Sequence, residues 1–103
     1  MQSGDAVRFT LTLINEYTKQ VEPINTATAL SIVVTNAAGT IRIPMTAAFS
    51  TDGTDGKLTA RVAKDTIVTG DKATLWSVQG WITLPGDLPY RTKVSNFTVE
   101  PNL

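Results

Sequence analysis

The sequence predicts an all-β domain, an immunoglobulin-like sandwich of about seven antiparallel strands over residues 1–103. Three observations carry that expectation. Thr, Val and Ile fill 33 of 103 positions, and these β-branched side chains, stiff at χ1, pack well on pleated sheets. Apolar and polar residues alternate with period two in segment after segment. Gly, Pro, Asn and Asp separate the segments at the short spacing of a sandwich or small barrel. No stretch keeps a helical period over three turns.

The first strand is the clearest. Val7, Phe9, Leu11 and Leu13 share one face, and Arg8, Thr10 and Thr12 share the other, the pattern of a half-buried strand. Asn15 to Pro23 reads as a polar turn. A second strand is expected from Ala29 to Thr35, with Leu30, Ile32 and Val34 inward and Val33 therefore outward. Asn36-Ala37-Ala38-Gly39 forms a turn, and Thr40 to Met45 a third strand with Ile41, Ile43 and Met45 alternating. Pro44 has no N–H for a ladder, so this strand is placed at an edge or ends there.

Ser50 to Gly56 is a loop. Lys57 to Ala63 follows as a strand with Leu58, Ala60 and Val62 inward. Lys64 to Lys72 fits either a short strand at Thr66-Ile67-Val68 or one helical turn. Ala73 to Leu84 is a long strand carrying Trp76, Val78, Gly80, Ile82 and Leu84 on one face. Pro85 to Pro89 reads as a tight turn and Tyr90 to Glu100 as the last strand. Its alternation changes phase between Val94 and Phe97, which places a bulge near Ser95-Asn96.

Length and composition restrict the function. A chain of 103 residues fits one domain. Nine basic residues balance nine acidic ones, so the basic excess of a nucleic-acid binder is missing, as is a polybasic membrane patch. No apolar run approaches the roughly 20 residues that span a bilayer. The opening Met1-Gln2-Ser3-Gly4-Asp5 lacks a basic segment followed by an apolar one, so no signal peptide is expected. Cys and His are both absent. That removes thiolate chemistry, the commonest general base and the commonest transition-metal ligand.

The remaining candidates for chemistry are weak. Asp52-Gly53-Thr54-Asp55-Gly56 resembles part of a calcium loop, but Lys57 stands where further acidic ligands are needed. A hairpin turn is the better reading, and Asp5, Asp65, Asp71 and Asp87 likewise fit Asx turns. Glu16, Glu22 and Glu100 lie outside strand centres. No pair of acids flanks a cleft as glycoside hydrolysis demands. The expectation is no enzyme, no metal and no cofactor.

Candidate contact residues are more informative. Trp76 and Trp81 face opposite sides of one strand; Trp76 joins the core face, and Trp81 shares its face with Ser77, Gln79 and Thr83. A Trp on a polar face is a protein-contact anchor, a ring covered by a loop, or a sugar-stacking platform. From Pro23 to Thr51 the single charged residue is Arg42. Interface centres are depleted of charge, so Val33, Ile41, Arg42 and Ile43 join Trp81 as candidate contacts. Arg91 and Lys93 read as solvated.

Several segments carry a family resemblance: Gly4-Asp5 with Val7 to Leu13, Leu30 to Val34 with Ala37-Ala38-Gly39-Thr40, Asp55-Gly56-Lys57-Leu58-Thr59, Gly70-Asp71 before the Trp76 strand, and finally Tyr90-Arg91-Thr92 and Phe97-Thr98-Val99. In these the chain resembles the phage baseplate upper protein (BppU-like) N-terminal domain family and related small tailed-phage virion proteins. The resemblance implies an immunoglobulin-like module in a particle, made in the host cytoplasm and bound to other virion structural proteins in a symmetric assembly or homo-oligomer. Larger members continue into a stalk. Here the sequence stops at Leu103, which favours an adaptor or attachment module of tail, baseplate or fibre base. A capsid decoration protein is the nearest alternative. A carbohydrate-binding adhesion module, stacking sugars on Trp81 and Tyr90, is the alternative of another class.

Overall fold

β6 (Thr74–Leu84) is the longest strand, and the rest of the chain is arranged around it. In the computed structural model, which describes residues 1–15, 17–86 and 88–101, β1 (Val7–Thr12), β5 (Lys57–Val62) and β4 (Ala48–Phe49) form one antiparallel sheet in the order β1-β5-β4. The other sheet runs β3 (Arg42–Thr46), β2 (Ala29–Asn36), β6, then β7 (Leu88–Arg91), with β8 (Ser95–Val99) also paired to β6. The expected all-β sandwich is therefore present, with eight strands among the described residues rather than about seven. Glu16 and Asp87, read as turn residues, lie outside the described residues, as does Asn102-Leu103.

The inward faces follow the alternation of the sequence. Ile32 and Val34 of β2, Leu58, Ala60 and Val62 of β5, and Trp76, Val78 and Ile82 of β6 form the centre of the core. Each fully buried side chain of this size contributes roughly 1.5–3 kcal/mol. The sandwich is closed at its two ends by apolar residues from loops. Ile24 and Ile67 are completely buried. The N–H of Ile24 donates to Gly53 O at 2.8 Å, and Ile67 O accepts from Gly4 N–H at 2.9 Å. Phe9 of β1 and Phe97 of β8, with ring centroids 5.1 Å apart, tie the two sheets together along one side.

Three expectations change. Lys64 to Lys72 forms neither strand nor helical turn; it is a loop that delivers Ile67 into the core. The turn after β6 is shorter than Pro85 to Pro89, because β7 starts at Leu88 and Pro89 already pairs with Thr83. Pro is tolerated there because β7 is an edge strand. The final strand is two strands. Arg91 pairs with Trp81, and Ser95 with Val78, so Thr92, Lys93 and Val94 stand opposite only Gln79 and Gly80. One extra residue flips the phase, as a bulge does. It lies at Thr92–Val94, a few residues before the expected place.

The chain crosses between sheets immediately after β3. The N–H of Ala47 still donates to Leu30 O of β2 at 3.2 Å, and Ala48 already pairs with Thr59 of β5. β3 and β4 thus form the open side of both sheets. On the other side, Met1 to Ser3 runs parallel beside the end of β8 through a bridge between Gln2 and Glu100. Two 2.7 Å bonds, Glu100 N–H to Met1 O and Ser3 N–H to Glu100 O, hold it.

Candidate protein-contact surface

Alternation along β6 sends Leu75, Ser77, Gln79, Trp81 and Thr83 to the outer face of the five-stranded sheet, opposite the core face of Trp76. Across that face Trp81 stands between Ser31 of β2 and Arg91 of β7. The Arg91 guanidinium carbon lies 4.0 Å from the Trp81 ring centroid, and that of Arg42 lies 5.0 Å away. The two cations come from opposite flanks: Arg42 belongs to β3, two strands from β6, and Arg91 to β7 next to it. Each such contact contributes about 0.5–1 kcal/mol at an exposed site. Among the described residues no carboxylate lies within 4.0 Å of either guanidinium. The Trp81 indole N–H is buried and has no acceptor. By contrast, Trp76 Nε1 donates to Thr74 Oγ1 at 2.9 Å.

The bulge holds Arg91 in place. Gly80 N–H donates to Thr92 Oγ1 at 2.9 Å, Thr92 N–H donates to Gly80 O at 3.0 Å, and Gln79 Nε2 donates to Thr92 O at 2.9 Å. Thr92 is buried accordingly. This latch fixes β7 to β6 just beyond the Trp81–Arg91 pair. It is the reason Arg91, read as solvated, lies over a ring. The signal was in the register: a turn ending at Leu88 brings residue 91 opposite residue 81.

The sequence-derived contact residues fall into two groups. Val33, Arg42 and Trp81 share the outer face. Val33 is nonetheless only 6% exposed. In register it sits between Thr35, which pairs with Arg42, and Ser31, which pairs with Trp81, so the reach of Arg42 to the ring passes over its row. Ile43 points the other way and packs against the core with Met45. Ile41 precedes β3 and is 46% exposed. Its N–H donates to Asn36 Oδ1 at 3.0 Å in a turn that Asn36 also braces through Thr40. The β3 edge thus presents Ile41, Arg42, Pro44 and Thr46, with one charge among them.

The calcium-like loop is a hydrogen-bonded turn. Asp52 Oδ1 accepts from the Thr54 hydroxyl at 2.6 Å and from its N–H at 3.0 Å. Asp55 accepts from Thr51 Oγ1 and from Lys57 N–H. The Thr54 hydroxyl, and then its N–H, hold the Asp52 carboxyl below its ordinary value of 3.8. Among the described residues no three His, Cys, Asp or Glu gather as a metal site would need.

Trp81 and Tyr90 do not form one aromatic platform. Tyr90 pairs with Ile82, so it lies in the inward phase of β7 while Trp81 faces outward. Tyr90 instead borders a cavity of about 230 Å³ at one end of the sandwich, with Leu13, Ile14, Tyr17 and Glu22. Tyr17 there is 98% exposed. The sequence reading missed this cavity, because only the fold brings Leu13, Ile14, Tyr17 and Glu22 next to Tyr90.

No protein-family model, no curated protein and no solved structure matches the chain.

Proposed function

We propose that this chain is a non-enzymatic structural module of a bacteriophage particle, an adaptor or attachment domain at the tail, baseplate or fibre base. It works by burying its surface against neighbouring virion proteins. The observation that carries this reading is the open side formed by β3 and β4. Edge strands that stay free in solution normally carry several charges or other protection against pairing with a second chain. Here both sheets end in strands drawn from one charge-poor stretch, with Arg42 its single charge and only Pro44 and the shortness of β4 as protection. Arg42 is itself turned over Trp81. An edge of this kind suits coverage by a neighbour whose strand or loop completes the sheet.

A carbohydrate-binding role has less support. Sugar stacking needs a free ring face, and two guanidinium groups occupy the surroundings of Trp81. Tyr90 lies on the other side of the sheet.

The test is co-purification. The chain, detected by mass spectrometry or antibody, is expected to sediment with intact particles, in a small multiple of three or six copies for a tail or baseplate position. Hundreds of copies per particle would move it to the capsid surface. Its absence from purified particles would remove the virion reading altogether.

A further inference from the structure

The seven described acidic residues lie outside the strands, and every charged residue within a strand is basic. Zero net charge therefore conceals a segregation. The outer face of the five-stranded sheet carries Arg42 and Arg91 and no acid among its described residues. The tip of the loop between β4 and β5 carries Asp52 and Asp55, each fixed by hydrogen bonds from neighbouring threonines or backbone N–H groups. Asp52 is exposed, and its hydrogen bonds from Thr54 lower its pKa below the ordinary carboxylate value.

We infer that the outer face of the five-stranded sheet binds a second copy of this chain, with the Asp52–Asp55 loop tip of one copy seated on the Arg42–Trp81–Arg91 cluster of the next. This rests on the structural-module reading above and gives it a partner. Charge complementarity argues for it: two guanidinium groups without a carboxylate among the described residues meet two carboxylates held by hydrogen bonds on one loop tip. Charge-assisted pairs of this kind are the stronger ones. The buried indole N–H is the second argument. An unsatisfied buried donor costs about 1–3 kcal/mol. Both guanidinium groups lie beside the same ring, so a carboxylate drawn to them arrives next to a donor that has no acceptor. Lys57 follows the loop directly, so the contact depends on the two carboxylates rather than on a net charge there.

The geometry sets the strength. Four strands at about 4.8 Å spacing and eight paired residues at about 3.4 Å rise give a face on the order of 500 Å². A standard interface buries about 800 Å² per partner, so this contact is weak in dilute solution and forms at high local concentration. It joins different surfaces on the two copies. Such heterologous contacts add copies in one direction and build rings or filaments.

The experiment is sedimentation equilibrium of the purified chain over a range of concentrations at low and high salt, with the indole N–H resonances followed by NMR. At low salt the weight-average mass is expected to rise with concentration above the 11.1 kDa monomer and to return toward it at high salt. The Trp81 indole resonance should move with concentration, and that of Trp76, already bonded to Thr74, should stay. The double variant Arg42→Glu, Arg91→Glu is expected to remain monomeric, and mixing it with Asp52→Arg, Asp55→Arg should restore association. Circular dichroism checks that each variant folds; should the loop variant be unfolded, the Trp81 resonance of the native chain still decides. A chain that stays monomeric at every concentration, or associates unchanged after the double arginine reversal, overturns the inference. If it is monomeric yet co-purifies with particles, the structural-module reading stands and only the identity of the partner falls.

Discussion

Gly56 is the position where a single added carbon should do the most damage. Its φ is +69°, a region that costs an L side chain about 1–2 kcal/mol. Space is the second obstacle. A Cβ there would lie 2.5 Å from Val21 Cγ1, 2.7 Å from the carbonyl oxygen of Glu22 and 3.2 Å from that of Leu13. The Val21 methyl can move, but the oxygens are backbone and belong to the seam where Leu13 N–H donates to Gly56 O and Glu22 N–H donates to Leu13 O. Overpacking of this sort costs roughly 1–3 kcal/mol. Gly56→Ala is therefore expected to lose about 2–5 kcal/mol, the sum of the backbone strain and the overpacking. A domain of this size loses about 4–8 °C of Tm per kcal/mol, so the shift is large. Gly39 supplies the comparison. Its φ is +74°, with nothing within 4 Å of an added Cβ, so Gly39→Ala carries the backbone cost alone. Urea unfolding followed by Trp fluorescence measures both. If the two variants agree within about 0.5 kcal/mol, a difference expected of neutral sites, the packing argument at Gly56 is wrong.

The latch at the bulge and the loop aspartate give two further tests. Thr92→Val keeps the shape but leaves the buried Gly80 N–H without its acceptor, a loss of about 1–3 kcal/mol; Thr98→Val, on the exposed part of β8, serves as control, and equal stabilities would refute the latch. The Asp52 carboxyl should titrate below 3.8 by NMR. Because its folded value is depressed, its contribution to stability is complete above the unfolded value and is lost as pH falls through the folded one. Thr54→Val should bring the midpoint back up, and a native midpoint at or above 3.8 would contradict the hydrogen-bond assignment.

The strands were readable wherever one face is buried. β2, β5 and β6 put their inward residues in the core, and Phe9 and Leu11 of β1 pack against it. The misreadings occur where periodicity carries no information. Lys64 to Lys72 contains one buried apolar residue, Ile67, and its role as an end plug depends on Gly4 lying beside it. Pro89 reads locally as a turn residue, yet an edge strand accepts a proline whose missing N–H would face away from the sheet. The contact surface was half legible. Alternation alone gives Trp81 and Val33 their outward direction. Arg91 needed the register of β7, and Ile43 was grouped with Ile41 although the start of β3 at Arg42 separates them.

The distribution of charge follows from local chemistry, and it has a consequence beyond any one site. Asp favours turns because its side chain accepts from backbone N–H groups two residues on, as Asp52 and Asp55 both do. Once the acids are committed to turns, any charge left on the sheets is basic. Arg8 and Arg61 then face each other directly across β1 and β5, an arrangement of like charges that destabilises a sheet pair. Nothing in the packing of the three-stranded sheet requires it, since the outer residues between these arginines and Lys57 are Thr10 and Thr59, bonded hydroxyl to hydroxyl. A sheet selected only for its own stability would pair such positions with opposite charges. Both outer faces instead keep unpaired cations, and only the larger has an aromatic ring beneath them. The ring supplies apolar area and an unused N–H donor where the cations supply direction. That combination is the reason the proposed docking face is the one with Arg42, Trp81 and Arg91, whereas Arg8 and Arg61 are charge without an anchor.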